Sequence, residues 1–503
     1  MMWRNRKKEK QSEFIKKAEM KSEESLEELY KNLKKSSDFK CYQVGSTGYQ
    51  IAYFNTLIDD HVVNQLILPI LKMSTSPSLS DAKASIPVQE LTISQDVQEI
   101  KKKVMTGHVL VKSSESNFHV LIIFAANNQT RDVSIPEVEF SVVGPKEAFV
   151  ESINENTRLI RKRLPISSLM VKELTIGTLT QTRVGIIYID GIANQENVNT
   201  VVQRLNNIEY DQIIDSSFIT QMIADNSHSP FPQFLDTERP DRVVEGLVEG
   251  KIGILVDGSP HVLTCPTTIV EFFSASDDYF LPWHLASVFR LIRLFAVLFS
   301  VLSTPLYVAI LTYHHEMIPE ELMTTIVASR ADIPFPPILE VIILEIAIEL
   351  LREAGARLPT KIGQTIGIVG GIVIGTAAVD AGLTSNVLLI IVALAALASF
   401  TTPVYQIGNT IRLIRFPYLV GAQLWGLIGV SMVMAFYIGH LIKLKSLGRP
   451  FFAPIYPLRF RDLRDAFIRL PFSRQSERPV QTSPEQVKRF DQNKAIKKRD
   501  VDE

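Results

Sequence analysis

The chain has 503 residues, of which 46% are hydrophobic and 21% charged, and its formal net charge at pH 7 is −1. A mean hydropathy of +0.13 is too polar for a protein buried in lipid throughout, and the balanced charge excludes a general nucleic-acid binder, which needs a basic footprint. The two cysteines, Cys41 and Cys265, lie far apart without CxxC spacing, so neither a disulfide framework nor a zinc site is indicated.

Residues 1–38 alternate Lys and Glu with few large apolar side chains, which is the composition of a solvated helix or a disordered arm. No apolar run follows the basic N-terminus, so no cleavable signal peptide is expected and this end is expected to stay in the cytoplasm. Ordered sequence is expected from about Gly48. YQIAYFN reads as a strand, DDHVVNQLILPILK as a helix begun by Asp59 or Asp60, and GHVLVK and FHVLIIFAA as two further strands across a polar turn. A second unit repeats this grammar. Leu164 to Leu179 reads as helix, Thr182 to Asp190 as a buried strand, and Asn194 to Ile208 and Arg239 to Glu249 as helices. KIGILVDGSPHVLTCP then reads as a strand pair turned at Asp257-Gly258. Such alternation indicates α/β or α+β layers, here two soluble subdomains over 39–160 and 161–282.

Apolar residues then concentrate between Trp283 and Leu444. The expected fold is therefore a two-subdomain α/β (or α+β) soluble N-terminal region followed by an α-helical transmembrane bundle over 283–444. A basic, partly disordered cytoplasmic tail is expected over 445–503. Leu285 to Leu311 is long enough to span, with Arg290 and Arg293 snorkelling from its first turns. Pro337 to Leu351 is shorter, enters through Pro334, Pro336 and Pro337, and carries Glu340, Glu345 and Glu349. Ile362 to Val379 is ridged by Gly363, Gly367, Gly371 and Gly375; Asn386 to Phe400 is apolar; Phe416 to Leu444 reads as a last single span, with Trp425 and Tyr437 as interface anchors. Positive charge in the Arg352–Lys361 loop, at Arg412–Arg415 and in the tail prefers the cytoplasm. Five full spans conflict with that, so Pro337–Leu351 is expected to be re-entrant or interfacial.

Glycines every four residues lay bare backbone along one helix face, which lets helices approach closely in a bilayer. Close packing inside one subunit would explain them; so would a ring of such helices around a pore. The opposite face carries small and aliphatic residues, with Val373 and Ile374 at mid-helix, polar Thr365 and Thr376, and Asp380 at the outer end. A narrow apolar constriction can gate by dewetting, and acidic rings favour cations. Glu345 and Glu349 lie one turn apart on one face while Glu340 points away. They read either as paired charges on an interfacial helix or as the vestibule of a cation path. The TERPDRVVEG run reads as a turn into a helix with acids near its positive end, and His314-His315-Glu316 lacks the HExxH spacing of a zinc site. No phosphate-binding loop, nucleophile elbow or Cys-His pair is found, so no enzyme, cofactor or metal is expected.

Three passages resemble one family. FPQFLDTERPDRVVEGLVEGKIGILVDGSP at 231–260, PFPPILEVIILEIAIELLREAGARLP, and IGIVGGIVIGTAAVDAGLTSN with the following ALASFTTP are similar to the A subunits of the GerA family of spore germinant receptors, and the likeness runs from about Gly48 to Leu444. The resemblance implies a multi-pass protein of the spore inner membrane, in contact with membrane lipid. Its implied partners are a transporter-like, nutrient-holding B subunit and a lipoprotein C subunit. It also implies a homo-oligomeric, nutrient-gated channel for monovalent cations. A non-conducting sensor or scaffold, whose soluble domain binds a ligand or partner, is the alternative. An independent secondary transporter is weaker, for want of an inverted repeat.

Overall fold

Short runs of Val, Ile, Leu and aromatic residues pair into two five-stranded sheets in the computed structural model, which describes residues 26–74, 77–88, 90–114, 119–127, 136, 139, 143–357, 371 and 373–490. The first sheet contains β1 (Phe39–Gln43), β2 (Tyr49–Phe54), β3 (Leu91–Ser94), β4 (His108–Ser113) and β5 (Val120–Phe124) in the order β1-β2-β4-β5-β3. The second contains β6 (Leu169–Ile176), β7 (Thr182–Ile189), β8 (Leu235–Thr237), β9 (Ile252–Val256) and β10 (Val262–Cys265) in the order β6-β7-β9-β10-β8. Every pairing in both sheets is antiparallel, so the lobes are α+β.

The two orders are the same permutation, and the helices repeat with them. α1 (Leu26–Leu33) precedes β1. α2 (Val62–Met73) and α3 (Leu79–Ser85) separate β2 from β3, and α4 (Val97–Val104) separates β3 from β4. In the second lobe α5 (Ile153–Arg163), α6 (Gln195–Asn206), α7 (Ser216–Ile223) and α8 (Pro240–Val248) take the four equivalent places. The lobes are joined by a buried clamp. Arg161 donates to both carboxylate oxygens of Asp38, at 2.6 and 2.7 Å, and its guanidinium lies 4.2 Å above the Phe54 ring.

Several expectations are corrected here. Leu164–Leu179 contains no helix: β6 occupies its middle, pairing from Leu169↔Ile189 to Ile176↔Thr182. Order begins before Gly48, with Leu29, Tyr30 and Leu33 of α1 buried against β1 and β2, so the 1–38 arm is not wholly solvated; residues 1–25 lie outside the described residues. The lobe boundary falls before Phe149, because Phe149 and Ile153 pack with β6, β7 and β9; a cut at 160 would divide α5. The tail is not loose up to residue 490. Arg478 and Thr482 donate to the carbonyls of Val248 and Glu249 at 2.7 and 2.9 Å, Arg489 pairs with Glu249 at 2.9 Å, and Ile269 N–H donates to Phe451 O at 2.9 Å. Polar side chains of the tail thus satisfy carbonyls at the C-terminal end of α8.

The helical layer consists of α9 (Trp283–Tyr313), α10 (Glu320–Arg330), α11 (Pro337–Arg357), α12 (residues 373–380), α13 (Asn386–Ser399) and α14 (Tyr405–Lys443); α15 (Phe460–Ala466) lies in the tail. Arg290 and Arg293 do not reach out toward solvent. Both pair with the buried Asp278, at 2.9 and 3.3 Å, tying α9 to the segment before it. The last span is not single. Trp425 (φ −137°, ψ 17°) and Gly426 (φ 57°, ψ −136°) leave helical geometry inside α14, and the chain turns back on itself there. Gly426 needs the left-handed region that glycine alone enters freely. Its two arms, 405–424 and 427–443, touch backbone to backbone: a Cβ on Gly429 would overlap the carbonyl oxygen of Gly421. Tyr418 and Tyr437 stack across the arms with centroids 5.9 Å apart. Among the described residues α9 and α14 are the two helices long and apolar enough to cross a membrane. At 1.5 Å per residue the arms of α14 are about 30 and 25 Å long.

Candidate functional site

α11 carries its three glutamates on a 21-residue helix laid between α9, α13 and α14, and each carboxylate meets an arginine. Glu340 is fully buried. It accepts from Arg330 Nη2 at 2.8 Å and from the Ser385 N–H at 3.3 Å. Glu345 accepts from Arg415 Nη1 at 2.5 Å and Thr304 Oγ1 at 3.3 Å, while Arg415 Nη2 donates to Ser300 Oγ at 2.8 Å. Glu349, half exposed, pairs with Arg352 and stands 3.8 Å from Arg412 Nε. Glu345 and Glu349, four residues apart on α11, thus face Arg415 and Arg412, three apart on the first arm of α14. The result is a ladder of ion pairs inside an apolar layer. Removing one member of such a buried pair strands its partner, so the ladder fixes the register between the helices.

Glu340 faces away from the side shared by Glu345 and Glu349, toward Arg330 and Ser385, and it is the most buried of the three. Glu345 is enclosed with Arg415 inside one chain, which is the paired arrangement. Sequence reasoning missed Arg330, Arg412 and Arg415 as partners; the one local signal is that Arg412 and Arg415 stand three apart and Glu345 and Glu349 four apart, while nothing local points to Arg330.

Gly363, Gly367 and Thr365 lie outside the described residues. Gly375 is buried, and a Cβ there would rest 3.5 Å from Leu389 of α13, ordinary contact; a Cβ on Gly371 would meet nothing within 4 Å among the described residues. On the same helix Val373 is 55% exposed and Ile374 44% exposed, and Thr376 and Asp380 are exposed too. One face of α12 therefore packs on α13 and the other is presented outward.

The second lobe grips both arms of α14 through one segment. Thr410 Oγ1 donates to Pro230 O at 2.5 Å, Ser229 Oγ and His440 Nε2 lie 2.8 Å apart, Phe231 stacks on His440, and Gln406 Nε2 donates to Asp236 at 3.3 Å. Burial pushes the Asp236 carboxyl up to about 6, against the opposing pull of His261. Behind this contact a cavity of about 300 Å³ lies between α8 and the tail, lined by Glu245, Glu249, Lys251, Glu271, Tyr279 and Arg489 among others. Burial raises Glu245 to about 8, and Glu249 is raised for the same reason. The 238–245 charges are structural: Arg239 pairs with Asp241 and Asp277 at 2.7 Å each, and Arg242 with Glu139 at 2.6 Å. Among the described residues no group of three or more His, Cys, Asp or Glu is placed to hold a metal ion.

Duplicated sheet lobes gripping a helical hairpin, whose neighbouring helices are locked by internal ion pairs, define a two-part protein with its helical part apolar outside and charged within. The chain belongs to the GerA family: the family model described as Bacillus/Clostridium GerA spore germination protein matches residues 27–481. Spore germination protein GerQA of Bacillus cereus is 46% identical over 486 residues, covering 95% of this chain and 97% of that protein. The uncharacterized membrane protein YfkQ of Bacillus subtilis is 34% identical over 439 residues, covering 86% of this chain and 85% of its own. The solved N-terminal domain of the A subunit of the Bacillus megaterium spore germinant receptor GerK3 is 26% identical. It covers 48% of this chain and 94% of that one, with a TM-score of 0.34.

Proposed function

We propose that this chain is the membrane subunit of a nutrient germinant receptor and that copies of it assemble into a nutrient-gated cation channel. The observation carrying the membrane half is the inside-out pattern of the helical layer. Phe295 and Phe436 are each 69% exposed and Leu397 and Ile428 nearly as much, while Glu340, Glu345 and Arg415 are buried. Water would drive the reverse arrangement, whereas lipid accepts it because charges there face the bundle interior in pairs. The two arms of α14 also support a topology free of the charge conflict. Read as two arms, α14 adds one pass to the five apolar segments of the sequence, and if Pro337–Leu351 crosses fully rather than lying in the interface, the even number would put the lobes and the tail on one side with the basic Arg352–Lys361 and Arg412–Arg415 segments; residues 358–370 lie outside the described residues. That side is the cytoplasm of the spore, inside its inner membrane.

The outward face of α12 supports the channel half. Val373 and Ile374 protrude beside small residues, and Asp380 closes the end away from the lobes; repeated around an axis, this would be an apolar constriction with an acidic mouth. Glu349 remains a candidate for the other mouth, while Glu340 and Glu345 brace the subunit. The nutrient is then held by a transporter-like B subunit, with a lipoprotein C subunit as the third member. The test is potassium release from bacterial cells expressing wild type, Val373→Ala or Ile374→Ala. Leak through a shortened variant supports the pore. Inserted, oligomeric variants that leak no more than wild type would leave a non-conducting sensor or scaffold.

A further inference from the structure

The lobe-side end of the helical layer holds more positive charge than it neutralises. Among the described residues, Arg352, Arg412 and Arg415 meet there with Glu345 and Glu349, three cations with two anions. Their hydrogen bonding is incomplete among the described residues. Arg352 Nε and Nη1 and Arg415 Nε have no acceptor, and Arg412 Nε has only the 3.8 Å approach of Glu349. A guanidinium offers five donors in a rigid fork and is costly to leave unmatched away from water. The missing partner is therefore one negative charge carrying several acceptor oxygens.

Depth and surroundings narrow its chemistry. Arg412 lies two residues from Thr410, which bonds the lobe at Pro230, so the cluster sits where the helices leave the lobe. Arg352 stands 5.7 Å over the Phe400 ring. Leu350 and Leu413, the neighbours of Glu349 and Arg412, are exposed, as are Phe400 and Tyr405. Charge framed by apolar and aromatic side chains fits an amphiphile: a phosphate for the arginines and acyl chains for the leucines. We propose that the junction of α11 with the first arm of α14, where Arg352 and Arg412 are partly exposed and Arg415 lies buried behind them, binds the phosphate of an anionic phospholipid headgroup. Glu349, the half-exposed carboxylate shared by Arg352 and Arg412, competes with that phosphate and gives way as it enters. The proposal rests on the membrane reading above. Basic pockets on the cytoplasmic side of helical membrane proteins are suited to such lipids.

The experiment uses the full chain. Carbonate extraction of membranes first checks insertion of wild type and each variant; release of wild type would overturn the membrane reading and this site with it. The purified protein in detergent is then titrated with phosphatidylglycerol, phosphatidylcholine or inorganic phosphate, following its thermal midpoint. Phosphatidylglycerol is expected to raise the midpoint at concentrations where the other two do not. Arg352→Gln with Arg412→Gln should weaken that response about thirtyfold, two arginine contributions at an anionic surface. Glu349→Gln should strengthen it, and Arg357→Gln, at an exposed pair with Glu353, should leave it unchanged. Equal responses to both lipids, a full response to inorganic phosphate, or loss of response in Glu349→Gln would each overturn the proposal.

Discussion

Replacing Arg415 by Gln removes one end of the most enclosed ion pair in the helical layer. The Arg415 and Glu345 side chains are 4% and 8% exposed, and the nitrogen and oxygen are 2.5 Å apart. With charge centres about 4 Å apart, their attraction is roughly 4 kcal/mol at an effective dielectric of 20. That agrees with the cost of about 3–5 kcal/mol for stranding one member of a buried pair. Arg415→Gln and Glu345→Gln should each destabilise by an amount in this range. The double variant, two neutral amides of similar size, should lose less than the sum by a coupling of about 2–3 kcal/mol. The full chain in mild detergent can be unfolded by titrated dodecyl sulfate, following Trp283 and Trp425, which lie on α9 and at the α14 turn. Additive single effects, with coupling below about 0.3 kcal/mol, would refute the claim that the pair acts as a unit.

Other consequences are accessible to the same preparation. Gly429→Ala should force the arms of α14 apart, since its Cβ would overlap Gly421 O, costing at least about 1–3 kcal/mol; Gly439→Ala, with nothing within 4 Å, should be neutral or gain about 0.5–1 kcal/mol. Arg161→Met should strand Asp38 between the lobes at a cost of about 3–5 kcal/mol, read as a lower unfolding midpoint. The Glu245 carboxyl is raised from an ordinary value of 4.5 to about 8, so the folded form holds its proton more tightly than the unfolded form. Stability from this group is full below pH 4.5 and is lost as pH rises toward 8. Glu245→Gln should therefore match wild type near pH 4 and become relatively more stable between pH 5 and 8, levelling off above that. A pH series of unfolding midpoints for both proteins checks the sign; a difference that shrinks as pH rises would contradict it.

Where local pattern coincides with environment, the chain was legible. Tyr49–Phe54, between Gly48 and Asn55, and Thr182–Ile189, followed by Asp190-Gly191, are runs of β-formers with turn residues beside them, and both pair as strands. Leu169–Ile176 was misread because Lys172, Glu173 and Leu174 suit a helix, and pairing with β7 along eight residues overrides that preference. Of the site, the acids of α11 and the glycines from Gly363 to Gly375 stand out as carboxylates and glycines in apolar sequence. Their partners do not, because Arg330 and Arg415 are distant in sequence and only packing brings them to Glu340 and Glu345.

The sequence by itself determined that a polar, mixed-structure half precedes an apolar helical half, because hydrophobic periodicity and its extent are local properties of the chain. It also determined that carboxylates and glycines lie within that apolar half. Only tertiary structure decided that the two lobes share one strand order, since register between strands is a long-range choice. It alone decided that the tail folds back onto α8, and that the last apolar stretch is a hairpin. A continuous apolar run is compatible with one long helix or two arms. The choice rests on Gly421 meeting Gly429, on Thr410 and His440 both finding the 229–231 segment, and on the tip meeting Tyr313. Those contacts exist only once α9 and the second lobe are in place.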